Sequence, residues 1–577
     1  MKKQFSLSRE NAMINFTMKY CETGEQLLDS YGFDRVIKSY INKIKKNDNT
    51  IYRNLIDCSK IEDENELKEY LKDIFKLLLV FEVDEIIRLN GKYKSIFANK
   101  ELLIEFIEGA YSFWRKIERY AIIQNNRVGK GIQNVSFIEA NNNFTKLVLD
   151  TYRRIEETVI GYKHRVYRQI PAGANAGIIV NNIKWNIPYE YEFLSKVPFI
   201  EEVILQPPFI TYPKKNKRTG TFVETYNNPL EYIRINEDHW FCYPAKVGEL
   251  LAYVYFHRDF MSLGLTLCNL FELAKEEEYT NKKPDMIYVF GARDGHKDMR
   301  TAFYNDKDND IMIGFENYHE DIDYFGYMKK MILTLHNVRM IENEYLPIHG
   351  AMVRITMKSG KVINVVIVGD SGAGKSESLE AFRSLSEEYV KEMSIVFDDM
   401  GVLKLEGKGN VIGYGTETGA FVRLDDLDIG YAYKEIDRSI FMNPDKVNAR
   451  VIIPISTYHE ITCGRPVDYI FYANNYEEGE EIEFFDDVEQ SIQVFKEGAR
   501  MAKGTTTETG LVTSYFANPF GPLQRQEQTD ILIDRYFKAF YKKGIKVGQI
   551  RTLLGISGKE KEGPKSAAHK LFDLIKD

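Results

Sequence analysis

The N-terminal part of the chain carries apolar residues at helical spacing. Between about residues 8 and 125 they recur every three or four positions, and glycine and proline are sparse. Examples are Leu67, Tyr70, Leu71, Ile74, Leu77 and Leu78. The pattern predicts a helical domain over residues 1–125, to which it assigns no chemistry.

After residue 125 the pattern changes to short β-branched and aromatic runs that are broken by proline and glycine. Examples are 177–180, 203–205 and 285–290. Such runs are typical of strands, so residues 126–345 are predicted to form a mixed α/β lobe. Residues 346–577 read as a further lobe in which strands and short helices surround a glycine-rich loop.

That loop follows the apolar run 362–368 and has the complete pattern G-x-x-x-x-G-K-[ST]. It reads Gly369, Asp370, Ser371, Gly372, Ala373, Gly374, Lys375 and Ser376. Its glycines allow the backbone N–H groups to turn inward, and a helix that starts after the loop adds its positive end. The segment therefore predicts a binding site for the phosphates of a nucleotide such as ATP.

Two loop residues have specific predicted roles. Lys375 would neutralise the β and γ phosphates, and the Ser376 hydroxyl would ligate the accompanying Mg²⁺. Leu379, Phe382 and Leu385 then fall three apart, which predicts a helix with one apolar face after the loop.

A metal that bridges phosphates also needs a carboxylate, which usually stands at the end of a neighbouring apolar strand. The run 393–397 leads into Asp398 and Asp399, one helix after the phosphate loop. Both aspartates are therefore site candidates.

Composition narrows the possible partners and compartment. The formal net charge of −8 argues against a protein that coats nucleic acid, and the basic patch 214–218 reads as a solvated hairpin loop. The five cysteines form no C-x-x-C pair, so neither a zinc ribbon nor a disulfide framework is expected. The longest apolar run, 77–81, is too short to span a membrane. We expect a cytoplasmic protein that uses neither nucleic acid nor a membrane, and the sequence makes no prediction about its oligomeric state.

Further motifs flank the loop in an order that resembles ATP-dependent phosphoenolpyruvate carboxykinase. They are Tyr324 to Met331, His349, the loop itself, Asp398 with Asp399, Asn448 to Val451, Ala502 to Gly510, and Phe520 to Pro522. The similarity covers about residues 160–577. It implies an α/β fold: a carboxykinase-like P-loop kinase core with a mixed α/β N-terminal lobe, to which the helical N-terminal domain is added.

The resemblance also implies a catalytic Mn²⁺ held by Lys330, His349 and Asp399. A lysine ligand must be neutral, which burial and a neighbouring dication would favour by lowering its pKa. The histidine would ligate as neutral imidazole, and the aspartate would supply an anionic oxygen.

The implied reaction is decarboxylation of oxaloacetate to an enolate, which then takes the γ-phosphoryl group of ATP. Its products are phosphoenolpyruvate, ADP and CO₂. By the resemblance, Arg450 contacts the γ-phosphate, Lys329 lies beside the bridging oxygens, and Tyr324 lies near the substrate carboxylate. The arginine that grips this carboxylate is assigned to Arg168, with Arg293 as the second candidate.

Two other interpretations stay open. The phosphate loop, with His349 before it and Asp398 and Asp399 after it, also resembles HPr kinase/phosphorylase, which shares the kinase core. In that case ATP would phosphorylate a serine or a small-molecule hydroxyl, and Asp398 or Asp399 would act as general base. A third possibility is a nucleotide-sensing regulator whose helical N-terminal domain carries the output.

Overall fold

A computed structural model of the chain describes most of its residues. The described ranges are 4–8, 11–17, 21–47, 50–124, 132–163, 170–218, 222–370, 372–375, 378, 389–424, 436–502, 510–517 and 520–576, with backbone only at 132–136. The protein is mixed α/β, as the sequence predicts. Within these ranges, no helix has the length and apolar character needed to cross a membrane.

The chain divides into two compact units. The N-terminal unit comprises Met1–Asn181 with Ile200–Gln206, and the C-terminal unit comprises Asn182–Phe199 with Pro207–Asp577.

The N-terminal unit combines a helical layer with a small sheet. Its helices are α1 Gly24–Asp29, α2 Tyr31–Lys46, α3 Thr50–Ser59, α4 Glu64–Val80, α5 Val83–Leu89, α6 Lys94–Ala98, α7 Lys100–Lys116 and α8 Ile132–Ile160. Its strands are β1 Phe5–Ser8, β2 Asn11–Asn15, β3 Glu118–Gln124, β4 Ala176–Asn181 and β5 Phe199–Leu205. The helical periodicity is confirmed in α4, where Leu67, Leu71, Ile74 and Leu78 are fully buried.

The N-terminal unit extends beyond the boundary predicted at residue 125, because its sheet includes a later strand. Strand β1 is antiparallel to β2, β2 is parallel to β3, and β3 is parallel to β4. Because β3 lies between β2 and β4, the compact unit continues to Asn181. The apolar periodicity indicates the helices but misses β1 to β3, since segments of four to seven residues are too short to distinguish a strand from part of a helix.

A buried arginine joins the end of α7 to this sheet. Arg119 is only 2% exposed. Its Nη1 donates to the carbonyls of Trp114, Arg115 and Ile117 at 2.8 Å, and its Nε donates to Gly173 O at 2.6 Å. Burial lowers the pKa of Arg119 to about 10. The guanidinium satisfies carbonyls left without partners where the helix ends.

The C-terminal unit is built on three sheets. Its helices are α9 Met261–Thr266, α10 Glu276–Tyr279, α11 Phe325–Glu342, α12 Tyr458–Thr462, α13 Val488–Glu497, α14 Gln526–Lys543 and α15 Glu562–Ile575. Its strands up to the phosphate loop are β6 Phe209–Thr211, β7 Val223–Glu224, β8 Trp240–Val247, β9 Leu250–His257, β10 Glu272–Leu273, β11 Met286–Ala292, β12 Thr301–Asp306, β13 Ile311–Asn317, β14 Leu346–Met357 and β15 Val362–Val368. The later strands are β16 Val390–Glu406, β17 Asn410–Gly415, β18 Gly419–Arg423, β19 Ile440–Met442, β20 Arg450–Pro454, β21 Arg465–Pro466, β22 Tyr469–Asn474, β23 Ile482–Phe484, β24 Ala499–Met501, β25 Leu511–Thr513 and β26 Lys546–Arg551. Strands β24 and β25 form a separate hairpin.

The first sheet of this unit has a parallel centre of β9, β11 and β13, flanked by antiparallel β8 and β12. The second sheet has the order β21-β17-β16-β14-β15-β22-β26-β23. In it β14 is antiparallel to both β15 and β16, while β15, β22 and β26 run parallel. The third sheet has the order β18-β20-β19-β6.

Helix α11 packs against β11 and β13 of the first sheet and β14 of the second. It is buried on nearly every side, which explains its lack of a polar face. Any charged residue on this helix must therefore meet a partner inside the protein.

We expect Arg119→Leu to lower the free energy of unfolding by about 3 kcal/mol or more, because it leaves several buried carbonyls without a donor. Urea denaturation measures this change. The matched control is Arg115→Leu, which makes the same substitution at an exposed position and should be nearly neutral. Equal losses in the two variants would contradict a role for the buried guanidinium.

Candidate functional site

The phosphate loop follows β15 directly and turns sharply at two glycines. Gly372 has a φ of 78° and Gly374 a φ of 92°, values that favour glycine. Lys375 is buried, and its ammonium donates to Gly369 O at 2.6 Å and Asp370 O at 3.3 Å. The lysine charge therefore lies over the loop backbone.

Neighbouring elements hold this loop in place. Asn475 Nδ2 donates to Gly372 O at 2.9 Å, and Thr552 Oγ1 donates to Ala373 O at 2.7 Å. A Cβ at position 374 would lie 2.5 Å from Thr552 Oγ1, so only glycine fits there. The described residues of the loop are thus fixed by side chains of neighbouring elements.

A charged cluster centres on Asp399 beside the loop. Lys329 and Lys330 of α11 donate to its Oδ2 at 2.6 and 3.1 Å, and His349 Nε2 of β14 lies 2.9 Å from its Oδ1. The residues predicted as manganese ligands, Lys330, His349 and Asp399, therefore meet at one point. His349 also accepts the Gly369 N–H at its carbonyl, at 3.0 Å, which links the cluster to the phosphate loop.

The predicted position of Asp399 at the end of a strand is wrong. Strand β16 continues to Glu406, and Asp399 lies in its interior with a φ of 81°. This left-handed conformation is uncommon for a residue with a side chain and is typical of functional sites. Asp398 precedes it, opposite Ala351 of β14, and is half-buried.

The cluster controls the charges of its members. Burial raises the pKa of the Asp399 carboxyl, but Lys329 and Lys330 outweigh this effect and hold the pKa well below its usual range. Burial lowers the pKa of Lys330, and burial with the charge of Lys375 lowers the pKa of His349. Lys330 and His349 thus shift towards the neutral forms that a metal ligand needs.

Glu417 completes the cluster, and the sequence offered no motif that identifies it. The residue is 1% exposed and follows β17, and its Oε1 lies 3.0 Å from Lys329 Nζ. Burial raises the pKa of Glu417 to about 7. Burial lowers the pKa of Lys329, but Asp399 and Glu417 outweigh it, so the pKa is raised and this lysine is a stable cation.

Both ring nitrogens of His349 have partners inside the protein. His349 Nδ1 contacts the carbonyl of Ala517, which can only accept, so Nδ1 carries a hydrogen. His349 Nε2 lies 2.9 Å from Asp399 Oδ1, and Lys329 and Lys330 supply positive charge to the same carboxylate.

The contacts of Asp399 with His349 and Lys330 involve different oxygens of the carboxylate. His349 Nε2 lies 2.9 Å from Oδ1, and Lys330 Nζ lies 3.1 Å from Oδ2. Both distances are those of ordinary hydrogen bonds. Within the described ranges, no group of three His, Cys, Asp or Glu side chains is arranged to hold a metal ion. The group around Asp399 includes a lysine, Lys330, in place of such a residue.

Arg450 and Tyr324 lie on the same side of the cluster. The Arg450 guanidinium lies 5.4 Å and the Lys329 ammonium 5.8 Å from the ring centre of Phe421. The ring of Tyr324 packs against that same ring, at 6.0 Å. Burial raises the pKa of Tyr324, and Arg450 partly offsets this effect, so the hydroxyl stays protonated.

Arg218 is a further cation that the sequence interpretation placed in a solvated loop. Its guanidinium lies 5.1 Å from the ring centres of both Phe222 and Phe520, and Lys330 Nζ lies 4.9 Å from the ring of Phe520. Burial lowers the pKa of Arg218. The assignment of this residue to a solvated loop is therefore wrong, because two aromatic rings cover the guanidinium.

Several predicted residues lie outside the described ranges. They are Arg168, Ser371, Ser376, Leu379, Phe382 and Leu385, together with 503–509 of the Gly-Thr-rich segment. The second arginine candidate, Arg293, is exposed, and its guanidinium lies 4.7 Å from the ring of Tyr318.

No family model and no curated protein matches this sequence. Its function is therefore argued from the site itself.

We expect the chain to bind Mn²⁺ and the variant Asp399→Asn to bind it at least tenfold more weakly, because the anionic oxygen is lost. The electron paramagnetic resonance signal of free Mn²⁺ measures the binding. Asp445→Asn, at an exposed position, is the matched control and should bind as the wild type does. Unchanged affinity in Asp399→Asn would exclude this carboxylate as a ligand.

Proposed function

We propose that the chain is a phosphoenolpyruvate carboxykinase-like enzyme. It would decarboxylate oxaloacetate and transfer the γ-phosphoryl group of ATP to the resulting enolate, giving phosphoenolpyruvate, ADP and CO₂. The carbon chemistry and the phosphoryl transfer would take place beside one another, between the Asp399 cluster and the phosphate loop.

One observation carries this proposal: the convergence of Lys330, His349 and Asp399 next to a formed phosphate loop. A simple P-loop kinase needs the loop, a magnesium ligand and a base. It has no need of a lysine and a histidine that share one carboxylate and are both shifted towards their neutral forms. This arrangement suits a second metal ion, which would supply charge stabilisation for the enolate and the transferred phosphoryl group.

Different residues would have different roles in this reaction. The loop backbone and Lys375 would hold the β and γ phosphates of ATP. Lys329, which stays protonated, would lie beside the bridging oxygens, and Arg450 would stabilise charge on the transferred group. Because Lys329 already orders Asp399 through a hydrogen bond, little reorganisation would accompany the reaction.

The carboxylate of oxaloacetate would bind between Tyr324 and Arg218. Arg218 has Tyr324 and Tyr327 close enough to influence its pKa, and it shares the ring of Phe520 with Lys330. A guanidinium held against aromatic rings is well placed for a planar carboxylate. We therefore propose Arg218 for the role that the sequence assigns to Arg168.

A kinase of the same fold that acts on a hydroxyl group is the second candidate. Glu417 favours it, because a buried carboxyl with a pKa of about 7 is suited to act as general base near neutral pH. Its contact with Lys329 places it at the same site.

We expect phosphoenolpyruvate to form from oxaloacetate and ATP with Mn²⁺ and Mg²⁺ present. Lys330→Ala, His349→Ala and Lys375→Ala should each lower the rate at least about 100-fold, since each removes charge that stabilises the transition state or a metal ligand. Phosphoenolpyruvate formed per unit time is the measurement, and Lys408→Ala, at an exposed position, is the control.

The wild-type reaction distinguishes the candidates. Consumption of ATP without phosphoenolpyruvate would reject the carboxykinase and favour the kinase. Binding of ATP through Lys375 without consumption would instead favour a nucleotide-sensing regulator.

We expect Arg218→Gln to raise the KM for oxaloacetate by about 10- to 100-fold, the range for loss of a charged hydrogen bond. The KM for ATP should change little, and steady-state kinetics with each substrate varied in turn separates the two. Lys217→Gln changes the neighbouring exposed cation and should leave both values unchanged. A rise in the KM for ATP alone would instead indicate that Arg218 contacts the nucleotide.

A further inference from the structure

The N-terminal unit contains a cavity of about 150 Å³. It lies among strands β1 and β2 and helices α1, α2, α4, α7 and α8. All its lining residues belong to this unit, so the cavity has no part in the phosphate site.

The lining is mostly apolar. Phe33, Ile107, Trp114 and Phe144 are typical of it, and none of the described residues that line the cavity is Asp, Glu, Lys or Arg. A charged ligand would lose its hydration there without gaining an ion-pair partner. The lining therefore favours an uncharged molecule.

The volume limits the size of this molecule. A protein cavity of about 150 Å³ lined by Leu, Ile and Phe stays dry and accepts benzene. Cores are otherwise packed with few voids larger than a water molecule. A space of this size accommodates a single aromatic ring.

Two stacked tyrosine rings line one side of the cavity. The rings of Tyr111 and Tyr152 lie 3.8 Å apart and 3° from parallel, and both line the cavity. The Tyr152 hydroxyl donates to Glu108, whereas the Tyr111 hydroxyl is buried and has no hydrogen-bond partner among the described residues. Because a buried unpaired hydroxyl is costly, a ligand with one polar group would supply the partner that Tyr111 lacks.

We infer that this cavity is a binding site for an uncharged, single-ring aromatic molecule that carries one hydrogen-bonding group, and that the Tyr111 hydroxyl bonds this group. The site goes beyond the proposed enzymatic function. It gives the N-terminal unit a ligand of its own.

Calorimetric titration of the full chain with phenol, benzene and benzoate tests the inference. We expect phenol and benzene to bind saturably at one site per chain, phenol more tightly, and benzoate not to bind. Benzoate binding as tightly as phenol would overturn the inference, since the cavity offers no cation.

Substitutions then locate the binding. Ala110→Met fills the cavity from α7 and should weaken phenol and benzene binding at least tenfold. Ala98→Met makes the same change at an exposed position and should have no effect. Val148→Leu is a smaller filling change from α8, which keeps the test valid if Ala110→Met fails to fold. Unchanged binding in both filled variants would place the ligand elsewhere and overturn the inference.

Tyr111→Phe tests the hydrogen bond. It should weaken phenol binding about threefold to tenfold and leave benzene binding unchanged. Equal effects on both molecules would overturn the role of the hydroxyl.

Discussion

The contact of the half-buried Asp399 carboxylate with two lysines is the interaction on which the C-terminal unit depends. Helix α11 lies between two sheets with almost no exposed surface, and yet it carries Lys329 and Lys330 at adjacent positions. The fully buried ammonium of Lys329 and the partly buried one of Lys330 are tolerated because Asp399 and Glu417 lie within hydrogen-bond distance. Removal of one partner from such a pair costs several kcal/mol, so the helix position and the charges of the site are set together.

Backbone strain surrounds the same point. Asp399 has a positive φ, and so do Phe516 and Ala517, the latter with the carbonyl that His349 contacts. Such conformations persist only where the surrounding structure enforces them. Here they hold the Ala517 carbonyl and the Asp399 carboxylate against the two ring nitrogens of His349.

The N-terminal unit follows a different principle. The deeply buried guanidinium of Arg119 has backbone carbonyls as partners rather than carboxylates, so it joins α7 to the sheet without forming an ion-pair site. None of the described residues that line the cavity of this unit is Asp, Glu, Lys or Arg, whereas lysines and carboxylates are clustered around Asp399 in the C-terminal unit.

The sequence by itself determined those elements and groups whose signal comes from residues that are close together in the chain. The phosphate loop is recognisable because its glycines and lysine are contiguous, and α4 because four buried residues follow one helical period. The predicted strand runs 177–180 and 203–205 lie in β4 and β5, and the run 285–290 lies in β11 except for its first residue, for the same local reason. The order of motifs also predicts that Lys330, His349 and Asp399 belong together, although only a resemblance links them in the sequence.

Tertiary structure alone decided the rest. Glu417 and Arg218 have no motif around them, and each reaches the site through contacts with residues far away in the chain. The strand that carries Asp399 continues past it because β14 and β17 pair with it on both sides, which the local apolar run cannot indicate. The N-terminal unit extends to Asn181 because β3 pairs with β4, although the whole of helix α8 separates these two strands in the sequence. In each case the deciding contact joins residues distant in the chain, and such contacts leave no periodic signal in a single sequence.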